Sequence, residues 1–138
     1  LEKVNLIQDC LERIHSKVNN DIANLQNIDN QEIVTFNLQR AIQFTIDIAF
    51  HIISSKKLGL AQNFKEAFTL LEKNKFISSD LSEKLKKMVG FRNIVVHEYE
   101  HINLDILRNI VQHHLSDLEE FYTVIIKNFQ IHSGDENG

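Results

Sequence analysis

Residues 32–57 read EIVTFNLQRAIQFTIDIAFHIISSKK, and the reading of this stretch decides the fold. Ile42, Ile46, Ala49 and Ile53 recur at steps of three and four, the period of an α-helix and not the alternation of a strand. Phe44, Ile48, Phe50 and Ile52 add apolar residues on other faces. A helix that is apolar nearly all round is central in its domain, or buries a second face against a partner chain. The stretch therefore predicts a long central helix from about Glu32 to Lys57, with Gly59 as its stop. Arg40 and Asp47, seven residues apart, share a face of it. They are candidates to orient a neighbouring motif or bind a partner, or else simple ion-pairing groups.

Outward from this helix the chain stays helical. Val4, Ile7, Leu11, Ile14, Val18, Ile22 and Leu25 predict one helix over about 3–26, followed by a polar loop, Asn27–Gln31. On the other side, Asn63 with Glu66 is a capping pair for a short helix to about Lys73, packed through Ala67, Phe68 and Leu71. Asp80 with Glu83 opens a further helix that points Leu85, Met88 and Val89 inward. Gly90 within it is either a tolerated weakness or a point where another backbone comes close. Helical periodicity lapses over Val96–Ile102. Asn103 then caps a last long helix with Leu104, Leu107, Val111, His114, Leu118, Phe121 and Ile125 on one face. His51 and His114 lie on or beside apolar stripes and are expected to be packed. Asp105, Asp117, Glu119 and Glu120 are expected on a solvated face.

Composition agrees. The 138 residues contain no proline and only four glycines, which removes most of the punctuation that hairpins need. The expectation is an all-α, up-and-down bundle of about five helices over residues 1–130, with 131–138 as a flexible polar tail. Cys10, the single cysteine, excludes an internal disulfide and reads as a buried, inert thiol. The first turns, LEKVNLIQDC, carry charge and no apolar run of the signal-peptide kind, so a cytoplasmic location without a membrane span is expected. The net charge of −4 argues against general nucleic-acid binding. Lys84, Lys86, Lys87 and Arg92 are nevertheless clustered ahead of the one stretch with chemical content.

That stretch, FRNIVVHEYEHINL (residues 91–104), satisfies two motifs. His97, Glu98 and His101 spell H-E-x-x-H, the zinc-peptidase pattern, which requires a regular helix across both histidines so that they share one metal. The lapse in periodicity argues against that. Arg92, His97 and Tyr99 spell R-x4-H-x-Y. Histidine can move a proton to or from a ribose 2′-OH or its leaving oxygen, and a guanidinium can hold a crowded phosphorane through parallel hydrogen bonds. Tyr99 can stack on a base or bind a phosphate oxygen. Five residues place Arg92 and His97 about 140° apart on an ideal helix, so they meet only if the helix ends near His97 or if a second subunit completes the site.

Phe91-Arg92-Asn93-Ile94-Val95-Val96-His97-Glu98-Tyr99 resembles the motif of HEPN-domain proteins, in particular the HepT-like toxin branch. Leu38-Gln39-Arg40-Ala41-Ile42-Gln43, with Asp47-Ile48-Ala49 and His51-Ile52-Ile53, is similar to the second-helix pattern of that family, and the order of helices matches over almost the whole chain. The resemblance implies a homodimer whose two motifs face each other. It implies a metal-independent endoribonuclease toxin acting on transfer or messenger RNA, with Arg92 and His97 catalytic, Asn93 supporting, and no cofactor. Lys86 and Lys87 are expected to join Asn93 and Tyr99 in support or RNA binding. The implied partner is a minimal nucleotidyltransferase (MNT) antitoxin, able to transfer AMP onto Tyr99. Two alternatives stand beside it: a non-catalytic HEPN module that binds a nucleotidyltransferase, and a small zinc peptidase.

Overall fold

The computed structural model describes residues 2–97 and 103–137, with the side chains of 96, 97 and 129–137 excepted. It is built from α1 (Glu2–Val18), a 3₁₀ turn (Ile22–Gln26), α2 (Ile28–Lys56), α3 (Phe64–Lys73), α4 (Ser79–His97), α5 (Leu104–His113) and α6 (Leu115–Asn137). There is no strand among the described residues. No helix is long and apolar enough to cross a membrane.

The centre is α2, which packs against α1, the 3₁₀ turn, α3, α4 and α6. The four stripe residues Ile42, Ile46, Ala49 and Ile53 are all buried, and so are Ile48 and Ile52 on adjoining faces. His51 is exposed, not packed. It lies two residues from both Ala49 and Ile53, which is about 200° round the helix and therefore on the opposite side. The core continues through Ile7, Leu11 and Ile14 of α1, Phe68 and Leu71 of α3, and Leu118 and Phe121 of α6. Phe68 and Phe121 meet edge to face at 6.0 Å between ring centroids. Cys10 is buried as expected, and desolvation raises its thiol pKa, which keeps it protonated and unreactive near neutrality.

Four helix boundaries differ from the sequence expectation, and each has a local cause. α1 stops at Val18 because Asn19 and Asn20 take left-handed φ values of 48° and 63°, which asparagine tolerates better than most residues. Asn24 Nδ2 then donates to the Val18 carbonyl at 2.6 Å and closes the end. α2 begins at Ile28, inside the stretch expected to be loop, since Asn27 acts as its cap and accepts from the Asn30 amide. Its C-terminal left-handed residue is Lys57 and not Gly59, with the Leu58 amide returning to the Ile53 carbonyl at 3.0 Å. α4 starts at Ser79, with the Ser78 hydroxyl accepting from the Leu81 amide at 3.1 Å where Asp80 was the expected cap.

The expected last helix is two. His114 departs from helical geometry (φ −126°, ψ −4°) between α5 and α6, and its Nδ1 lies 3.0 Å from Asp117 Oδ2. That pairing buries Asp117, which the sequence reading puts on a solvated face. There are thus six α-helices among the described residues where about five were expected. α6 is helical to Asn137, through residues expected to form a tail, because extending an existing helix costs far less than starting one. The Asn63 and Asn103 caps are as read: Asn63 Oδ1 accepts from the Glu66 amide at 2.8 Å, and Asn103 Oδ1 from Asp105 and Ile106.

Gly90 sits in unbroken helix, and a Cβ built there would meet only the Lys65 ammonium, at 3.9 Å. No backbone approaches it. Gly90→Ala is therefore expected to stabilise the chain by about 1 kcal/mol, the helix-propensity difference, read as an upward shift in the urea midpoint.

Candidate functional site

α4 carries the site, and its register determines which side chains meet. Leu81, Ser82, Leu85, Met88, Val89, Phe91 and Val95 are buried and define its inner arc. Position 92 falls within that arc, seven residues after Leu85, four after Met88 and three before Val95. The outer arc holds Lys86, Gly90, Asn93 and the position of His97, at steps of four, three and four, beside exposed Lys87 and Ile94. Within one chain the arginine is thus set inward and the histidine position outward, about 140° apart on a helix that stays regular from Ser79 to His97.

An arginine on an inner arc needs polar partners or an aromatic surface. Arg92 has both and is half-buried. Its Cζ lies 5.1 Å from the centroid of the Phe64 ring at the start of α3, a cation–π contact. Phe64 is itself braced edge to face by Phe50 of α2. Its Nη1 donates to Asn93 Oδ1 at 3.3 Å. Nε is buried with no acceptor among the described residues. A guanidinium has five N–H donors, and among the described residues only Asn93 accepts from this one. An unpaired buried donor costs about 1–3 kcal/mol and is retained where something else uses the group.

The lysine cluster is partly neutralised within α4. Lys84 pairs with Asp80 at 2.9 Å, and that hydrogen bond raises the lysine pKa. Lys86 reaches Glu83 at 3.4 Å, while Lys87 is exposed and makes no ion pair among the described residues. Lys65, which the sequence reading did not single out, brings its ammonium from α3 over Gly90. The signal for it was the glycine within a helix.

On α2, Arg40 and Asp47 do not pair with each other. Arg40 lies between the rings of Phe36 and Phe44, at 5.6 and 5.5 Å. Asp47 instead accepts from Gln43 at 2.9 Å and lies 3.6 Å from the Lys3 ammonium. Phe36 is 58% exposed, so this face of the over-apolar helix remains open. Glu98, Tyr99 and His101 lie outside the described residues, and with them the test of the H-E-x-x-H geometry.

The family model described as ribonuclease HepT-like matches residues 7–125. The messenger-RNA nuclease HepT of Shewanella oneidensis is 44% identical over 91% of this chain and 94% of its own length. The transfer-RNA nuclease HepT of Aphanizomenon flos-aquae is 35% identical over 57% of this chain. Among solved structures, the tri-AMPylated HEPN toxin of S. oneidensis in complex with its MNT antitoxin superposes with a TM-score of 0.85, at 44% identity, over 91% of this chain and 95% of that one. The chain belongs to the HepT-like ribonuclease family.

Proposed function

We propose that this chain is the ribonuclease toxin of a toxin–antitoxin pair, a homodimer that cleaves RNA without a metal through Arg92 and His97. The observation that carries the reading is the geometry of α4 set against the family match. The guanidinium is fixed by Phe64 and Asn93 with donors to spare, while the histidine position is on the outer arc of the same helix. Arg92 is only half-buried, and two copies facing each other where its open edge and the His97 position both reach the surface bring the arginine of one to the histidine of the other. The exposed apolar Ile94 (45%) on the outer arc and Phe36 on α2 are surfaces such a dimer covers.

In that site His97 accepts the proton of the ribose 2′-OH as it attacks the adjacent phosphorus, or delivers one to the departing 5′-oxygen. Arg92 holds the extra negative charge of the phosphorane, and its unpaired donors gain acceptors in that state. The products are a 2′,3′-cyclic phosphate and a 5′-hydroxyl. The partner is an MNT-type nucleotidyltransferase that attaches AMP to Tyr99, two residues past His97. The added bulk and negative charge beside Arg92 exclude an RNA phosphate. Family membership also favours this reading of residues 91–104 over a zinc peptidase.

The test is incubation of purified, unmodified chain with labelled RNA in excess EDTA. Cleavage to cyclic-phosphate ends is expected, and it stops after treatment with the cognate nucleotidyltransferase and ATP, whereas Tyr99→Phe protein still cleaves after that treatment. RNA left intact by soluble, unmodified chain refutes the ribonuclease reading and leaves a partner-binding module.

A further inference from the structure

We propose that Lys65 is a phosphate-binding residue for the RNA strand, acting at the bare surface of α4 that Gly90 provides. This rests on the ribonuclease reading and extends it to a residue outside the R-x4-H-x-Y motif. Lys65 belongs to α3, one residue after the Phe64 that carries Arg92. The two neighbours pass on opposite sides of the α3–α4 contact. Phe64 lies under the Arg92 guanidinium on the inner side, and the Lys65 ammonium lies over Gly90 on the outer arc. Gly90, Asn93 and His97 follow one another along that arc, and seven residues of helix from Gly90 to His97 span about 10 Å. The ammonium therefore stands about two helical turns before the His97 position along the same arc.

Two features leave this exposed ammonium open to a phosphate. Lys65 makes no ion pair among the described residues, unlike Lys84 and Lys86 of the neighbouring cluster. Among the described residues outside its own helix, only this ammonium lies within 4 Å of a Cβ built at Gly90, so a phosphate can approach the cation over the helix surface. A lysine there reads no sequence. It sets the strand's position and adds a salt-dependent contact.

The test uses the full-length protein, a labelled single-stranded RNA carrying 2′-O-methyl groups for binding, and the same unmodified RNA for cleavage. Lys65→Ala is expected to weaken binding about 5–10-fold near 0.1 M salt, and to reduce the slope of log K against log salt by about 0.7, one phosphate contact on a single strand. KM for cleavage rises while kcat stays within about twofold, because the contact is uniform between ground and transition states. Gly90→Gln, which fills the surface without charge, lowers affinity, and Gly90→Glu, which adds a carboxylate against Lys65, lowers it further. Lys17→Ala on α1 controls for net charge. Affinity and salt slope unchanged in Lys65→Ala, or lowered no further than in Lys17→Ala, overturn the proposal. Wild-type protein that shows this binding pattern yet never cleaves refutes the ribonuclease reading and keeps the Lys65 contact. Wild type that neither binds nor cleaves overturns both.

Discussion

Arg92→Ala and His97→Ala are each expected to lower the rate of RNA cleavage by about 10²-fold or more, the loss that follows removal of one well-placed donor or general acid–base group, on the order of 10²–10⁴. Arg92→Lys recovers little of it. An ammonium keeps the charge but has neither the planar fork that binds two oxygens nor the flat face that lies on Phe64. The arginine loss carries a structural component, since truncation also removes the cation–π contact and the bond to Asn93. Initial-rate measurements on RNA, with urea denaturation of the same samples, separate the two. Retention of more than a tenth of wild-type activity in folded Arg92→Ala or His97→Ala protein would remove that residue from the reaction.

Phe121→Ala has the largest expected effect on stability, about 3–5 kcal/mol, the range for an aromatic side chain deleted from a closed core. Phe121 is fully buried in α6, and its ring meets Phe68 of α3 edge to face. The change therefore removes transfer free energy, an aromatic pair and the bridge between α6 and the α3–α4 layer that carries the site. Against a typical domain stability of about 5–15 kcal/mol the loss is severe. The expected result is a large drop in the urea midpoint with the slope unchanged. A loss below about 1 kcal/mol would mean that the α3–α6 packing is not as described.

The bundle itself was legible from periodicity, because the stripe Ile42, Ile46, Ala49, Ile53 and the capping asparagines Asn63 and Asn103 are local signals that tertiary packing reinforced. The breaks were not legible. Asn19 and Asn20 interrupt an unbroken apolar stripe through their backbone angles, and Val18, Ile22 and Leu25 pack against the core or within it on either side of the break. His114 ends α5 through its pairing with Asp117 and not through any glycine or proline. At the site, the motif could be read because Arg92, Asn93 and His97 fall within six consecutive residues. The support for Arg92 could not, because Phe64 and Phe50 come from two other helices. Lys65 was hidden for the same reason, and Gly90 was its only trace.

The central claim is that one active site draws its arginine and its histidine from two chains. The direct measurement is complementation: Arg92→Ala and His97→Ala chains, each inactive alone, are co-expressed, purified as mixed dimers and assayed on RNA. Half of randomly mixed dimers are heterodimers, and each of those has one intact site, so activity should return to about a quarter of wild type. A mixed sample no more active than either parent would contradict the account and place both residues in a single-chain site.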